Sequence, residues 1–345
     1  MNSLTPLTRR HWLHAATMSA TAALSRSVLS RPVEVKKPKQ AQIAITLDLE
    51  MSRNFPEWDA THWDYEKGNL NDETKRYALE AARRVKAHGG VIHFFVVGRV
   101  LEQADVSWLQ EIVAAGHSVG NHTYDHINVT ASRIEDLQFR FQRSPWLLRG
   151  QSVTEAIHEN IQLTTMAMKS RLSIAPAGFR TPGGFGNGLR DHDAVRALLR
   201  DLGFKWISSL YPAHKNSAAM QEPSDEVLQD IVSALGRAQP FVYPDGLIEI
   251  PMSPISDIGA FRSGRWQLDW FLKSIRQCVE WTIENGTVFD FLAHPSCLYV
   301  TDPEFRAIEL ICELVRAAGD KAAVVDLETI ANGIAGCAAN CDGNG

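Results

Sequence analysis

The chain has 345 residues, 45% of them hydrophobic, 22% charged and 8% aromatic, a globular composition that excludes bulk disorder and collagen-like or coiled-coil architecture. Thirty-five Lys and Arg against 40 Asp and Glu give a net charge of −5 and a pI near 6.2, which makes nucleic acid and anionic membranes poor partners. Five cysteines are too few for a disulfide scaffold.

In chain order, residues 1–30 lack Asp and Glu, carry the pair Arg9-Arg10, and continue through Ala15, Ala16, Met18, Ala20 and Leu24, a charged stretch followed by a mildly apolar one. Thr8-Arg9-Arg10-His11-Trp12-Leu13 resembles a twin-arginine export signal, so these residues are expected to address the protein to the periplasm or cell envelope. Residues 31–40 read as a polar linker. No apolar run reaches the roughly 18 residues of a spanning helix, and no integral membrane segment is expected.

Residues 43–47 form an apolar run of buried-strand type, and Asn71-Asp72-Glu73 then opens an amphipathic helix that Gly89-Gly90 stops. The alternation continues with a strand at 91–97, a helix at 107–115 and a strand at 117–120. Further strands are expected at 177–180, 204–208, 247–251, 287–293 and 322–325. Eight strand and helix units in about 290 residues predict an α/β fold, an irregular (β/α) barrel of about seven to eight parallel strands over residues 41–331. Residues 332–345 read as a flexible tail.

Barrel chemistry gathers at the C-terminal ends of strands, and four such ends carry reactive residue types. Asp48 and Glu50 alternate with Leu49 and so share a face, where two acids need a cation between them unless they are solvated. His122 and His126 are four apart, a spacing that on a helical turn lets both imidazoles reach one metal ion. Twelve His in the chain predict about 0.4 such pairs by chance, so the pair alone also fits a core role. Arg180 precedes Thr181-Pro182-Gly183-Gly184, a rigid turn that would hold its guanidinium near a carboxylate or leave it at the surface. His294 follows the run 288–293 and is either a core residue or a proton donor.

Together these segments resemble the polysaccharide deacetylase family, also called the NodB-homology or carbohydrate esterase family 4 group. Asp48-Leu49-Glu50 is similar to its D-x-D/E motif, His122-Thr123-Tyr124-Asp125-His126 to H-[ST]-x-x-H, Arg180 to Gly184 to R-x-P-x-G, and Leu292-Ala293-His294 to L-x-H. Met51-Ser52 replace the Gly-Pro of the commonest first motif. Asp201 to Trp206 loosely echoes D-x-x-W, and the aromatic segment 55–65 offers a further sugar-stacking candidate.

The resemblance implies a hydrolase of non-peptide carbon–nitrogen bonds that acts on an N-acetylated polysaccharide or peptidoglycan-type glycan. In that reading Glu50, His122 and His126 hold one divalent ion, zinc by ligand type, with iron, cobalt or nickel also suited. Asp48 is the base, Arg180 orients it, and His294 is the acid. Pro182, Gly183 and Trp206 are the expected substrate-binding residues. A hydrolase of a small amide or cyclic imide, and an inactive carbohydrate-binding barrel, are the competing expectations. A metalloprotease is disfavoured because Thr123 stands where H-E-x-x-H requires Glu.

Overall fold

The computed structural model describes residues 40–51 and 67–342, the side chains as far as residue 336. The expected export signal, the linker up to residue 39 and the aromatic segment 55–65 lie outside these residues.

Strand β1, Ala41–Leu49, sits inside the sheet with parallel neighbours on both edges, and eight of its nine residues are buried. That placement explains its composition, since a strand covered on both faces reads as a continuous apolar run. Ile43, Ile45, Leu47 and Leu49 pack outward into the main core with the helices, whereas Ala44 joins an inner cluster with Phe95 and Trp206. The period of two therefore sends Thr46, Asp48 and Glu50 to the barrel interior.

The other strands are β2 (Ile92–Val96), β3 (Ser118–Asn121), β4 (Phe179–Phe185), β5 (Trp206–Leu210), β6 (Phe241–Val242), β7 (Ile248–Glu249), β8 (Val288–Ala293) and β9 (Ala322–Val324). They pair in the order β6-β7-β5-β4-β3-β2-β1-β8, and β9 joins the start of β1. All pairings are parallel except β6 with β7. The eight expected strands are all present. The added β6 is a two-residue arm of a hairpin that turns at Gly246, where φ is 89°, and two residues are too few to show a period.

The sheet curls into a half-barrel with helices around it, and no ladder joins β7 to β8 among the described residues. Isolated backbone and side-chain hydrogen bonds bridge that seam. Ser253 N donates to Asp290 O at 2.8 Å and Leu292 N to Ser253 Oγ at 3.2 Å. Gln239 accepts from Val288 N at 2.9 Å and donates to Val288 O at 3.1 Å.

Two elements differ from expectation. The segment from residue 332 is not a loose tail up to residue 342: it continues the helix Leu327–Asp342, whose Ile330, Ala331 and Ile334 pack under the barrel beside Trp206. Its alanines favour helix and its apolar residues recur on one face. The helix Asp72–Ala87 begins as expected, with the Asn71 side chain accepting from Thr74 N at 2.9 Å. Strand β4 runs past Arg180 through Pro182, and its register shifts between Arg180 and Phe185 because proline offers no N–H to the ladder. No helix among the described residues is long and apolar enough to cross a membrane.

Candidate metal centre and its catalytic neighbours

Glu50 leaves β1 through a tight turn in which its N–H donates to Asp48 O at 3.0 Å. His122 follows β3, its N–H donating to Val96 O at 3.1 Å. Its Nδ1–H donates to Arg180 O at 2.9 Å, which leaves the Nε2 lone pair facing inward, as a metal ligand requires.

The sequence placed His122 and His126 on a helical turn, but the segment between them is a loop. Thr123 and His126 have φ of 59° and 56°, left-handed values that are costly for such residues. The loop is over-determined by amide side chains. Asn121 Oδ1 accepts from Thr123 N at 2.9 Å, and Asn160 Oδ1 accepts from both Tyr124 N and Asp125 N at 2.8 Å. Asp125 in turn accepts from Asn160 Nδ2 at 3.0 Å and pairs with Arg99 and Arg140. The His–His spacing therefore works through a strained loop that the helix Val153–Leu172, which carries Asn160, clamps from behind.

Glu50 Oε2 lies 2.6 Å from His126 Nε2 and 3.7 Å from His122 Nε2, and one ligand atom from each residue falls within 4.8 Å of the other two. That oxygen is buried and its close neighbours are the two imidazole nitrogens, so the three ligand atoms converge as a cation site requires. Burial holds His126 below its ordinary value and pushes His122 down to about 4, so both imidazoles are neutral donors near neutral pH. Burial acts to raise Glu50, but His126 and Lys67 outweigh it and hold the carboxyl well below its ordinary range. A neutral-imidazole pair with an ionised carboxylate fits zinc, and equally the other divalent ions that accept nitrogen and oxygen.

Beside this triad stands Asp48, 3% exposed. Arg180 Nη1 donates to its Oδ1 at 3.0 Å, while Oδ2 faces the cavity, 3.7 Å from His122 Nε2 and 3.9 Å from His294 Nε2. Arg180 is wholly buried and serves two carboxylates instead of gripping one with both arms. Its Nη2 donates to Asp290 at 2.5 Å, Nη1 also reaches Thr46 Oγ1 at 2.7 Å, and the guanidinium lies over the Phe95 ring, 4.3 Å from its centroid. Burial pushes Asp290 up to about 6 against the opposing pull of Arg180.

On the far side, His294 is fixed by Asp257, which accepts from His294 N at 2.7 Å and from Nδ1 at 2.9 Å. Burial would lower the imidazole pKa, yet Asp257 overcomes it and raises the value above the ordinary one. Nε2 then points at the triad, 3.6 Å from Glu50 Oε1. Asp257 also caps a π-helical turn, Ile258–Ser263, that walls one side of a cavity of about 330 Å³.

That cavity collects Asp48, Glu50, His122, His126 and His294, with Gly183 among its lining. Arg180 lies just beneath it. Pro182 is buried and does not line it. Trp206 is 2% exposed and turned away, its Nε1–H donating to Glu328 at 2.6 Å, so the structure does not bring it to the site. Asp257, Asp290 and Asn160 escaped the sequence reading because each acts from a segment far along the chain, and Lys67, nearer to Glu50, because it belongs to no motif. Tyr211, Met252 and Leu292 complete much of the wall.

Comparison with known proteins shows a similarity in part of the sequence and in the fold. The family model described as polysaccharide deacetylase matches residues 65–207, the stretch that holds His122, His126 and Arg180. Over these residues the chain is similar to the polysaccharide deacetylase family. No curated protein matches it. Among solved structures, a putative polysaccharide deacetylase from Mycobacterium smegmatis is similar with a TM-score of 0.56 at 17% identity, over 88% of this chain and 93% of that one. PuuE allantoinase gives 0.58 at 14% over 86% and 90%, and a probable polysaccharide deacetylase from Pseudomonas aeruginosa PAO1 gives 0.57 at 13% over 85% and 90%. At such identities the likeness is one of fold. The likeness takes in nine-tenths or more of each of these three structures.

Proposed function

We propose that the protein is a metal-dependent N-deacetylase that hydrolyses the acetamide of an N-acetylated polysaccharide or peptidoglycan-type glycan. The observation that carries this reading is the convergence of Glu50, His122 and His126 between an arginine-held aspartate and an aspartate-held histidine in one cavity. Bound by those three residues, a divalent ion supplies Lewis acidity toward an amide carbonyl and toward water. Asp48 presents Oδ2 to the cavity as the base that takes the proton of the attacking water, and Arg180 keeps Oδ1 fixed while it does so. His294 donates its Nε2 proton to the departing nitrogen, since an amine leaves badly as its anion. Asp257 favours the protonated ring and holds its orientation. Leu292 and Met252 offer an apolar wall to the acyl group.

A small amide or cyclic imide is the second reading, favoured by a cavity whose roughly 330 Å³ suits a single ring and by the fold likeness to an allantoinase. Incubation with acetylated chitin oligomers, peptidoglycan fragments and small imides, with detection of acetate, free amine and ring opening, separates the two. Acetate from the glycans supports the first reading, ring opening alone supports the second, and turnover of none would end both. We also propose export through the twin-arginine segment. Arg9→Lys with Arg10→Lys should then retain the protein in the cytoplasm, and unchanged passage would refute that route.

A further inference from the structure

Glu50 divides its two oxygens between different neighbours. Oε2 faces the imidazoles of His126 and His122, whereas Oε1 is paired with the ammonium of Lys67. Lys67 is 1% exposed and lines the same cavity as the triad. The two segments are tied together, because Met51 N donates to Lys67 O at 2.9 Å immediately after Glu50. A buried carboxylate without a counter-charge is costly, and this ammonium supplies one. A divalent ion on Glu50, His122 and His126 would place a second, larger positive charge on the same carboxylate. Like charges a few ångströms apart in a water-poor pocket repel strongly.

We propose that Lys67 is the resident counter-ion of Glu50 and must yield that carboxylate when a divalent ion loads, so that Lys67 sets the metal affinity of the site. The inference rests on the reading of Glu50, His122 and His126 as the ligands. Arg180 is poorly placed to share the task, since its donors go to Asp48, Thr46, Ser208 and Asp290. Lys67 lines the cavity, so an ammonium that leaves Glu50 would turn on its flexible four-carbon stem into that space. Before loading, the pair holds Glu50 in position. After loading, the displaced ammonium adds a positive charge to a wall that already contains Arg262. Lys67 is thus a positioning residue for the ligand set, and its neutral replacement should favour the ion.

The test uses the full chain stripped of metal, as wild type, Lys67→Met and Lys67→Gln, titrated with zinc and cobalt by calorimetry and by competition with a chromophoric chelator, with melting followed in both states. Both variants should bind the ion about tenfold tighter or more. Their metal-free forms should melt below wild type, and metal should close most of that gap. The two replacements differ in shape and polarity, so one serves if the other does not fold. An equal Kd with a lowered melting point in both states would mean that Lys67 only props the wall, and would overturn the proposal while leaving the ligand set intact. Weaker binding in both variants would overturn it by making the ammonium an aid to coordination. Failure of wild type and variants alike to bind either ion would remove the ligand reading itself, and this inference with it.

Discussion

At the mouth of the barrel each buried charge has an opposite charge beside it: Asp48 and Asp290 share Arg180, and His294 leans on Asp257. Deeper in the interior, His93 on β2 is wholly buried, and neither of its ring nitrogens has a hydrogen-bond partner among the described residues. It stacks on Phe95 at 4.7 Å between centroids and meets the edge of Trp206 at 5.2 Å. Gly120 makes room for this packing, since a Cβ there would stand 2.4 Å from the Phe95 ring. The mouth keeps its groups charged by pairing them, and the floor keeps an imidazole neutral by surrounding it with rings. The aromatic floor also keeps water from the underside of Arg180, which strengthens the ion pairs above it.

Substitutions at the mouth should cost catalysis and those at the floor should cost stability. The largest effect is expected for Asp48→Asn, which should reduce turnover by about 10⁴-fold while metal content by elemental analysis stays near one per chain. Glu50→Gln should instead lower the metal content. The opposite pattern, with Asp48→Asn emptying the site, would exchange their roles. Next, His294→Ala should slow amide hydrolysis by about 10²- to 10³-fold and an ester analogue by less, because an alcohol depends less on protonation to leave. Equal slowing of both substrates would reduce His294 to a packing residue. Asp257→Asn should have a milder effect with a definite sign. Asp257 holds the His294 pKa up against burial, so its loss lets the imidazole give up its proton at lower pH, and the basic limb of kcat/KM should move downward.

The floor offers the smaller, thermodynamic effects. Burial pushes His93 from an ordinary 6.5 down to about 3, with Asp326 opposing. Below 6.5 the unfolded chain therefore binds a proton that the folded one refuses, and stability falls with pH across the window from 6.5 to 3. Replacing His93 by Leu removes this contribution. The stability difference between variant and wild type should shift by about 2 to 3 kcal/mol in favour of the variant between pH 7 and pH 4.5, read from urea melts. A constant difference would mean that the ring is protonated in the fold or reached by water. The smallest effect belongs to Trp206→Phe, expected to cost about 1 to 2 kcal/mol through the lost bond to Glu328 and a small void, with KM unchanged. A raised KM would return Trp206 to the substrate wall.

Residues whose meaning is local were legible from the sequence. The alternation along β1 identifies Asp48 and Glu50 as co-facial, and strand-end position flags His294, because both follow from the period and polarity of a short segment. The His122 and His126 spacing was visible, but its conformation was not. A left-handed loop depends on Asn160, 34 positions after His126 by sequence number, and no local signal specifies that amide. Asp290 and Asp257 were hidden for a similar reason, since each meets its partner only when distant strands close. Trp206 was misplaced because an aromatic at a strand start fits either face of a wall until the barrel assigns one. The C-terminal helix was missed because its Gly and Asn obscured an alanine-rich face.

The arrangement of β1 has a consequence for the order in which the protein matures. The strand that presents Asp48 and Glu50 leaves the ribosome well before its neighbours β8 and β9, which lie more than 230 residues later. Until residues 288–293 have been synthesised, one edge of β1 has no partner, and a bare apolar edge invites pairing with another nascent chain. A ribosome-bound chain ending before β8 should therefore need chaperone cover, and the two carboxylates come under full burial only once β8 has been made.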